Sequence, residues 1–284
     1  MPGETKTWLV TGATRGIGRE IAAAALASGA KVVATGRRPE SLEASLPGDA
    51  DRLLVLALDV TDPAQAREVV AAADASFGGI DVLVNNAGFG QLGHFETVSR
   101  AQVEDQFATN VFGLMDVTRA VLPVMRRQGA GHVINLSSIG GFLGFAGASV
   151  YCASKFAVEG LSESLALELA DFGIRVTIVE PGFFRTDFLD SGSVRYGDMA
   201  TEGYGERGAA LQREYGGYSH EQPGDPAALA KLIVEVADHP DPPLRLLAGS
   251  DALGMARSTL ERAQSEIEAW AAKSASTEHK AEEI

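Results

Sequence analysis

The 284-residue sequence predicts a doubly wound α/β domain, in which helices cover both faces of a mostly parallel sheet. Two observations predict this class. Short β-branched runs alternate with longer amphipathic or Ala-rich segments, an order that implies right-handed crossovers between parallel strands. Several of the short runs are apolar throughout and lack the alternation of a half-exposed strand, as expected of strands that are buried on both faces.

Seven runs are interpreted as strands. In chain order they are TWLVTG from Thr7, KVVATG from Lys31, RLLVLALDV from Arg52, DVLVNNAG from Asp81, GHVINLSS from Gly131, IRVTIVEPG from Ile174 and PLRLLAG from Pro243. Segments that are long enough for crossover helices separate them at residues 18–28, 63–77, 103–127 and 151–169.

We expect a single Rossmann-like cofactor-binding and catalytic domain over residues 1–256. The strand and helix rhythm breaks at residues 187–225, where glycine, tyrosine and charged residues gather, and this segment is expected to be a mobile insertion over the site. A helical pattern runs from Asp251 towards Lys273. Residues 257–284 are therefore expected to form a C-terminal helical extension whose last residues, SASTEHKAEEI, fray.

The amino-acid composition argues against nucleic-acid and membrane partners. With 38 acidic and 24 basic residues the formal net charge is -14, which disfavours both the phosphate-neutralising surface of a nucleic-acid-binding protein and attraction to an anionic membrane. No window approaches eighteen uninterrupted apolar residues. The single cysteine, Cys152, can form neither an internal disulfide nor a cysteine-rich zinc site. We expect a cytoplasmic protein without a metal site.

A doubly wound sheet binds ligands beyond the carboxyl ends of its strands. The first strand is followed by TGATRGIG, in which Gly12, Gly16 and Gly18 allow a tight turn and let backbone N–H groups approach a pyrophosphate at the next helix N-terminus. The spacing differs from G-x-G-x-x-G, and a Gly-rich turn alone fits either a nucleotide site or a plain turn.

The second strand ends in ATGRRPE. Gly36 and Arg37 stand about where an NAD site places the acid that binds the ribose 2′-hydroxyl, and Arg15 could converge on the same place. This pattern favours a 2′-phosphate and hence NADP(H), with Arg38 as the weaker contributor. Paired arginines after a strand are also typical of a solvated surface.

The stretch SVYCASKFAVEGL places Tyr151 and Lys155 four residues apart, on one face of a predicted helix. A lysine ammonium beside a tyrosine is expected to lower the pKa of the phenol from its usual value near 10 and so provide a general acid. An isolated pair of this kind also fits a half-buried tyrosine with a solvated lysine. Cys152 points away from this face, which favours packing over redox chemistry.

Several motifs together resemble the short-chain dehydrogenase/reductase family, in its single-domain branch. They are TGATRGIG, NNAG, Asn110, Ser138, Tyr151 with Lys155, and PGFFRT after the sixth strand, and they cover roughly residues 6–256. The resemblance implies a seven-stranded Rossmann-like sheet, a nicotinamide cofactor, and hydride transfer between that cofactor and a carbonyl or alcohol.

The resemblance also implies a role for each matching residue. Tyr151 would exchange a proton with the substrate oxygen, and Lys155 would lower its pKa and bind the nicotinamide ribose. Ser138, thirteen residues before the tyrosine, would hydrogen-bond the substrate oxygen, and Asn110 would disturb its helix and help a water connect Lys155 to solvent. The cofactor-binding set comprises Gly12, Thr14, Arg15, Gly16, Ile17, Gly18, Arg37, Arg38, Asp59, Val60, Asn86, Ala87, Gly88, Tyr151, Lys155, Pro181, Gly182, Phe183 and Thr186.

Apolar side chains after the strand ends predict an apolar, medium-sized or bulky carbonyl or secondary-alcohol substrate. They are Phe89, Leu92, Phe95, Phe142, Phe145, Phe183, Phe184 and Phe188. A catalytically silent NADP-binding sensor is the alternative, although such relatives typically lose the Tyr or the Lys. Relatives commonly pair through helices that correspond to residues 103–127 and 151–169, so a homodimer or homotetramer is expected by analogy.

Overall fold

The computed structural model describes residues 5–43, 46, 51–190 and 192–278. Its strands are β1 (Thr7–Val10), β2 (Lys31–Gly36), β3 (Leu53–Ala57), β4 (Val82–Asn85), β5 (Gly90–Leu92), β6 (Gly131–Leu136), β7 (Ile174–Pro181), β8 (Val194–Tyr196) and β9 (Arg245–Ala248). Seven of these form one parallel sheet in the order β3-β2-β1-β4-β6-β7-β9, while β5 and β8 pair in parallel as a separate two-stranded sheet. The seven predicted strands are all confirmed, and the fold is Rossmann-like.

The helices are α1 (Gly16–Ala27), α2 (Glu40–Glu43), α3 (Pro63–Phe77), α4 (Arg100–Phe107), α5 (Leu114–Gln128), α6 (Ser149–Leu169), α7 (Gly205–Gly217), α8 (Pro226–Asp238) and α9 (Ser250–Ala275). Helices α1 and α8 cover one face of the main sheet, and α3, α5 and α6 cover the other. Both faces of β1 are therefore buried: Trp8 and Val10 pack on the first helix layer and Leu9 on the second.

Local chemistry fixes where the crossover helices begin and end. Asp62 caps α3 by accepting from Ala64 N at 2.8 Å and Gln65 N at 3.3 Å, and Pro63 is the first helical residue. Gly78 ends the helix in the left-handed region with φ 83°. These caps set the bounds of the crossover helix between β3 and β4.

Two features differ from the predicted pattern. The helix expected over residues 103–127 is interrupted, because a π-helical turn at Ala108–Gly113 separates α4 from α5. The segment at residues 187–225 contains β8 and α7, and β8 attaches it to β5 beside the main sheet. Neither short strand has a sequence pattern long enough to be recognised.

The C-terminal helix α9 packs on the body only at its beginning. Ala252 and Ala256 are buried, whereas residues 260–278 are exposed. Residues 279–284, the end of the tail that was expected to fray, lie outside the described residues. None of the helices in the described ranges is long and apolar enough to cross a bilayer.

Candidate active site

A cleft of about 550 Å³ opens at the carboxyl ends of the parallel strands. It lies where β1 and β4 are neighbours and the strand order reverses, which is the position at which open α/β sheets bind ligands. The chain segments that follow β1, β2, β3, β4, β6 and β7 all contribute to its lining. The segment around β8 covers one side.

Asn86 stabilises the glycine turn after β1 by hydrogen bonds to its backbone. Asn86 Nδ2 donates to Thr11 O at 2.9 Å and to Gly12 O at 3.1 Å. Gly12 has φ 65°, and a Cβ there would stand 2.8 Å from Ala87 Cα. A Cβ on Gly18 would lie 2.5 Å from Gly12 O, so Gly18 allows α1 to approach the turn rather than contacting a ligand.

The three arginines near this turn occupy different positions. Arg15 and Arg37 line the cleft, whereas Arg38 does not. Arg15 Nη2 donates to Gly192 O at 2.5 Å, which ties the glycine turn to the loop before β8. A Cβ at Gly36 would stand 2.5 Å from Thr14 Cγ2, so close packing already requires glycine there, whichever cofactor binds.

Most of the predicted cofactor residues meet in this one cleft. Those that line it are Gly12, Thr14, Arg15, Gly16, Ile17, Arg37, Asp59, Val60, Asn86, Ala87, Gly88, Tyr151, Lys155, Pro181, Gly182, Phe183 and Thr186. Gly18 and Arg38 lie outside the lining.

Tyr151, near the start of α6, faces Ser138, which follows β6. Burial raises the pKa of Tyr151 to about 12, and a hydrogen bond with Ser138 opposes that rise. Ser138 Oγ also accepts from Gly140 N at 3.0 Å, which fixes the orientation of its side chain. The two hydroxyls thus form a pair of hydrogen-bonding groups on the cleft wall.

Lys155 lies one helical turn after Tyr151 and is buried. Its Nζ donates to Leu136 O at 2.7 Å and stands 5.8 Å from the centroid of the Tyr151 ring. Burial lowers the pKa of Lys155 to about 8, and Glu159 opposes that fall. The pKa of Tyr151 is thus raised rather than lowered as expected, because desolvation of the phenol dominates.

Asn110 lies within the π-helical turn and does not line the cleft. Its Oδ1 accepts from Phe89 N, and its Nδ2 donates to Phe89 O, both at 3.1 Å. Nδ2 also donates to Ser154 Oγ at 3.3 Å. The disturbed helix is therefore present, and it joins the chain after β4 to α6.

Apolar and mostly aromatic side chains form another wall of the cleft. Phe89, Leu92, Phe145, Phe183, Phe184 and Phe188 line it, and the ring of Phe188 lies 5.8 Å from that of Tyr151. Two of the predicted pocket residues are elsewhere: Phe95 is 69% exposed, and Phe142 packs in a cluster with α9. The wall beside the proposed catalytic hydroxyl is nonetheless strongly apolar.

Several residues that sequence reasoning missed come from the segment at residues 187–225. Tyr215 and Gln222 line the cleft, and Gln222 Oε1 is buried without a hydrogen-bond partner among the described residues. Arg195 also lines it, with its guanidinium 4.5 Å above the Phe89 ring and 2.8 Å from Asp105. The irregular sequence of this segment carries no signal that identifies them.

Cys152 and His94 lie outside the cleft lining. Cys152 packs with Leu92, Ala148 and Val194, and burial raises the pKa of its thiol, which disfavours the reactive thiolate. His94 precedes a short 3-10 turn, and its ring lies 5.1 Å from that of Tyr204.

The sequence of residues 6–194 matches the family model for short chain dehydrogenases. The chain belongs to the short-chain dehydrogenase family. An oxidoreductase of Botryotinia fuckeliana, BOA17, is 38% identical over 267 residues, which cover 94% of this chain and 97% of the relative. The protein is thus an oxidoreductase of this family with an NAD(P)-binding fold.

Solved structures agree with this assignment. A short-chain dehydrogenase from Streptomyces avermitilis superposes with a TM-score of 0.88 at 42% identity, covering 98% of this chain and all of that one. The closed form of serine dehydrogenase, in complex with NADP+, has a TM-score of 0.71 at 32% identity, covering 85% and 93% of the two chains. A family member from Burkholderia phymatum, in complex with NAD, has a TM-score of 0.78 at 25% identity, covering 89% and 92%.

Proposed function

We propose that this protein is an NADP(H)-dependent carbonyl reductase or alcohol dehydrogenase of apolar, medium-sized or bulky substrates. The observation that carries the proposal is the pair of hydroxyls of Tyr151 and Ser138, which lie together on the cleft wall beside a cluster of phenylalanines. A carbonyl oxygen placed against the two hydroxyls would hold its carbon within an apolar pocket.

The residues of the cleft fit a dinucleotide. A Cβ at Gly12 would fill the cradle above Ala87, and the glycine turn leads directly into α1, whose N-terminus favours a pyrophosphate. Arg37 and Arg15 supply positive charge at one end, and Lys155 lies at the other for the nicotinamide ribose. When bound, the nicotinamide supplies or accepts the hydride.

Tyr151 acts as the general acid in carbonyl reduction, because its raised pKa keeps the phenol protonated at neutral pH. Its proton passes to the substrate oxygen, while Ser138 hydrogen-bonds the same oxygen as negative charge develops on it. The reverse reaction requires Tyr151 to accept the proton. Asn110, in the disturbed helix, assists by a water that links Lys155 to solvent.

The test is a screen of ketones, aldehydes and alcohols that follows the reduced cofactor by absorbance, with Tyr151→Phe and Cys152→Ala as matched variants. Tyr151→Phe keeps the ring but loses the proton donor, so kcat is expected to fall at least about 10²-fold with cofactor affinity unchanged. Cys152→Ala alters a neighbouring buried side chain and is expected to stay within about a few-fold of the parent.

The pH dependence gives a second measurement of the same step. Carbonyl reduction needs the phenol of Tyr151, which stays protonated from about pH 6 to about pH 10, so the rate of reduction should not depend on this group in that range. Alcohol oxidation needs the phenolate, so its rate should rise with pH over the same range. A shared trend in both directions would identify another group as the acid. Tight NADPH binding without turnover on any substrate would instead support a regulatory protein.

The proposal extends to the assembly and setting of the protein. A homodimer or homotetramer forms through residues 103–127 and 151–169, where Phe112 and Phe156 are exposed. The segment at residues 187–225 is a mobile cover for the substrate, residues 1–256 are the catalytic domain, and residues 257–284 are an extension. The net charge of -14 and the lone cysteine favour a cytoplasmic protein without nucleic-acid or membrane partners.

A further inference from the structure

A cluster of charged side chains lies behind the proposed catalytic residues, between α6 and the end of the sheet. Glu159 of α6 is 4% exposed and Glu180 of β7 is fully buried. Arg245 of β9 joins them: its Nη1 contacts Glu159 Oε2 at 2.6 Å and also Glu180 Oε1. Arg245 Nη2 contacts Glu163 Oε1 at 2.8 Å at the protein surface.

The cluster contains more buried negative charge than its arginine neutralises. Glu159 Oε1 and Glu180 Oε2 are buried and have no hydrogen-bond partner among the described residues. Burial, reinforced by Glu180, raises the pKa of Glu159 to about 7, although Arg245 opposes the rise. Ser137 Oγ approaches the carboxylate and also lowers its pKa, without forming a well-aligned hydrogen bond.

Lys155 supplies a second positive charge, which offsets the excess negative charge of Glu159 and Glu180. It precedes Glu159 by four residues, so the two side chains share a face of α6. Lys155 is buried and donates to Leu136 O, and the negative charge of Glu159 raises its pKa against the effect of burial. Counted together, Lys155 and Arg245 balance Glu159 and Glu180.

Glu159 also underlies the loop that carries Ser138. A Cβ on Gly141 would stand 2.9 Å from Glu159 Oε1 and 2.5 Å from Ser137 Oγ, so the loop rests directly on the carboxylate. A group in this position acts on both sides of the proposed site: on the charge of Lys155 and on the loop that holds Ser138.

We propose that Glu159 is a positioning residue that keeps Lys155 protonated in the protein interior, and that Arg245 and Glu180 set how much negative charge Glu159 carries. The assignment deepens the proposed function, since it rests on the role given there to Lys155. Within the described residues, the charged and titratable groups that face this pair are Tyr151 and Glu163 on the same helix, Glu180 on β7 and Arg245 on β9.

The test measures the pKa of Lys155 directly, in the cofactor-free protein. The chain has only six lysines, so ¹³Cε-lysine NMR gives a simple spectrum, and Lys155→Arg identifies the signal of interest. In Glu159→Gln the pKa of Lys155 is expected to fall by about one pH unit or more, because an opposite charge is lost. Glu163→Gln removes another partner of Arg245, but one whose side chain is 51% exposed, and is expected to leave that pKa unchanged.

Glu180→Gln is the variant that separates charge from structural damage. It alters a fully buried carboxylate in the same cluster, yet it relieves Glu159 of a like charge and is expected to lower the pKa of Glu159. The chemical shift of Lys155 should report two titrations, that of Glu159 and its own. In Glu180→Gln the step caused by Glu159 should move to lower pH than in the parent, while the pKa of Lys155 stays unchanged or rises. This arm still decides the question when Glu159→Gln does not fold.

Equal Lys155 titrations in the parent, Glu159→Gln and Glu180→Gln would overturn the proposal, as would a fall in the pKa of Lys155 in both variants. The kcat profile of an active parent should follow the NMR values: a limb whose midpoint coincides with the NMR titration of Lys155 shifts in Glu159→Gln but stays in place in Glu163→Gln. A parent without oxidoreductase activity would refute the proposed function alone, because the NMR titration needs no turnover.

Discussion

At the carboxyl end of β2, single residues are expected to decide whether the protein prefers NADP or NAD. Arg37 lines the cleft and Arg38, the next residue, does not. NADP differs from NAD by one 2′-phosphate, which a site selects by offering a cation and omitting a carboxylate. Gly36 cannot be exchanged for an acid without displacing Thr14, so the cleanest change at this strand end is to the arginine.

We expect NADPH to exceed NADH in kcat/KM by at least about tenfold, and more at low salt, since one charge-assisted hydrogen bond contributes about 1.5–3 kcal/mol. Arg37→Gln should remove most of this preference. Arg38→Gln loses the same charge outside the cleft and should keep the ratio within about twofold of the parent. Equal use of both cofactors by the parent at low ionic strength would show that Arg37 belongs only to a solvated surface.

The sequence predicts a site residue well when its distance along the chain from other site residues identifies it. It predicts poorly those properties that depend on the folded surroundings of the residue. Tyr151, Lys155 and Ser138 are identified by their spacing, and the structure brings all three to one cleft. The direction of the Tyr151 pKa was predicted wrongly, because the burial of the phenol is a tertiary effect that no four-residue spacing reveals. Gln222 was missed for the same reason: only the folded chain places it in the cleft.

Among the elements, the strands of the main sheet were predictable and the attachment of the segment at residues 187–225 was not. Strands such as β1 and β2 are continuous apolar runs bounded by glycine, whereas β5 and β8 are three residues each. Their pairing depends on a close approach: a Cβ on Gly93 would stand 2.9 Å from Gly197 N, and Gly197 N donates to Leu92 O at 2.9 Å. A three-residue pairing of this kind has no local signature.

Gly197 is the residue that permits this approach, so Gly197→Ala tests whether the segment shapes the substrate pocket. The new Cβ would lie 2.5 Å from Thr97 O and would overlap Thr97 Oγ1. Overpacking of this kind costs about 1–3 kcal/mol in the free energy of unfolding. The displaced segment carries Tyr215 and Gln222, so KM for the carbonyl substrate should rise while the Kd for cofactor stays near that of the parent.

Gly208→Ala is the matched control in the same segment. Gly208 lies within α7 and has no neighbouring atom within 4 Å of its would-be Cβ, so alanine should stabilise the helix by up to about 1 kcal/mol. Urea unfolding and steady-state kinetics of the two variants are compared. Similar KM values in Gly197→Ala and the parent, despite a loss of stability, would show that the pocket does not depend on this attachment.

At the scale of the whole molecule, two features have opposite effects on association between chains: the acidic net charge and the exposed aromatic side chains. A net charge of -14 opposes association, yet Phe112 in the π-helical turn is 57% exposed and Phe156 in α6 is 48% exposed. The turn packs against α6, so the two exposed rings belong to neighbouring elements. Exposed aromatic groups on neighbouring elements are typical of an interface between subunits.

We therefore expect the double variant Phe112→Glu, Phe156→Glu to be monomeric where the parent is a dimer or tetramer, because it places four like charges in a two-fold interface. The mass in solution is measured by light scattering after size exclusion, over a range of protein concentrations. Phe95→Glu is the control: this residue is 69% exposed, lies on a 3-10 turn outside α5 and α6, and should leave the oligomer intact. If Phe95→Glu dissociates the oligomer as fully as the double variant does, the added charge itself is the cause and residues 103–127 and 151–169 do not form the interface.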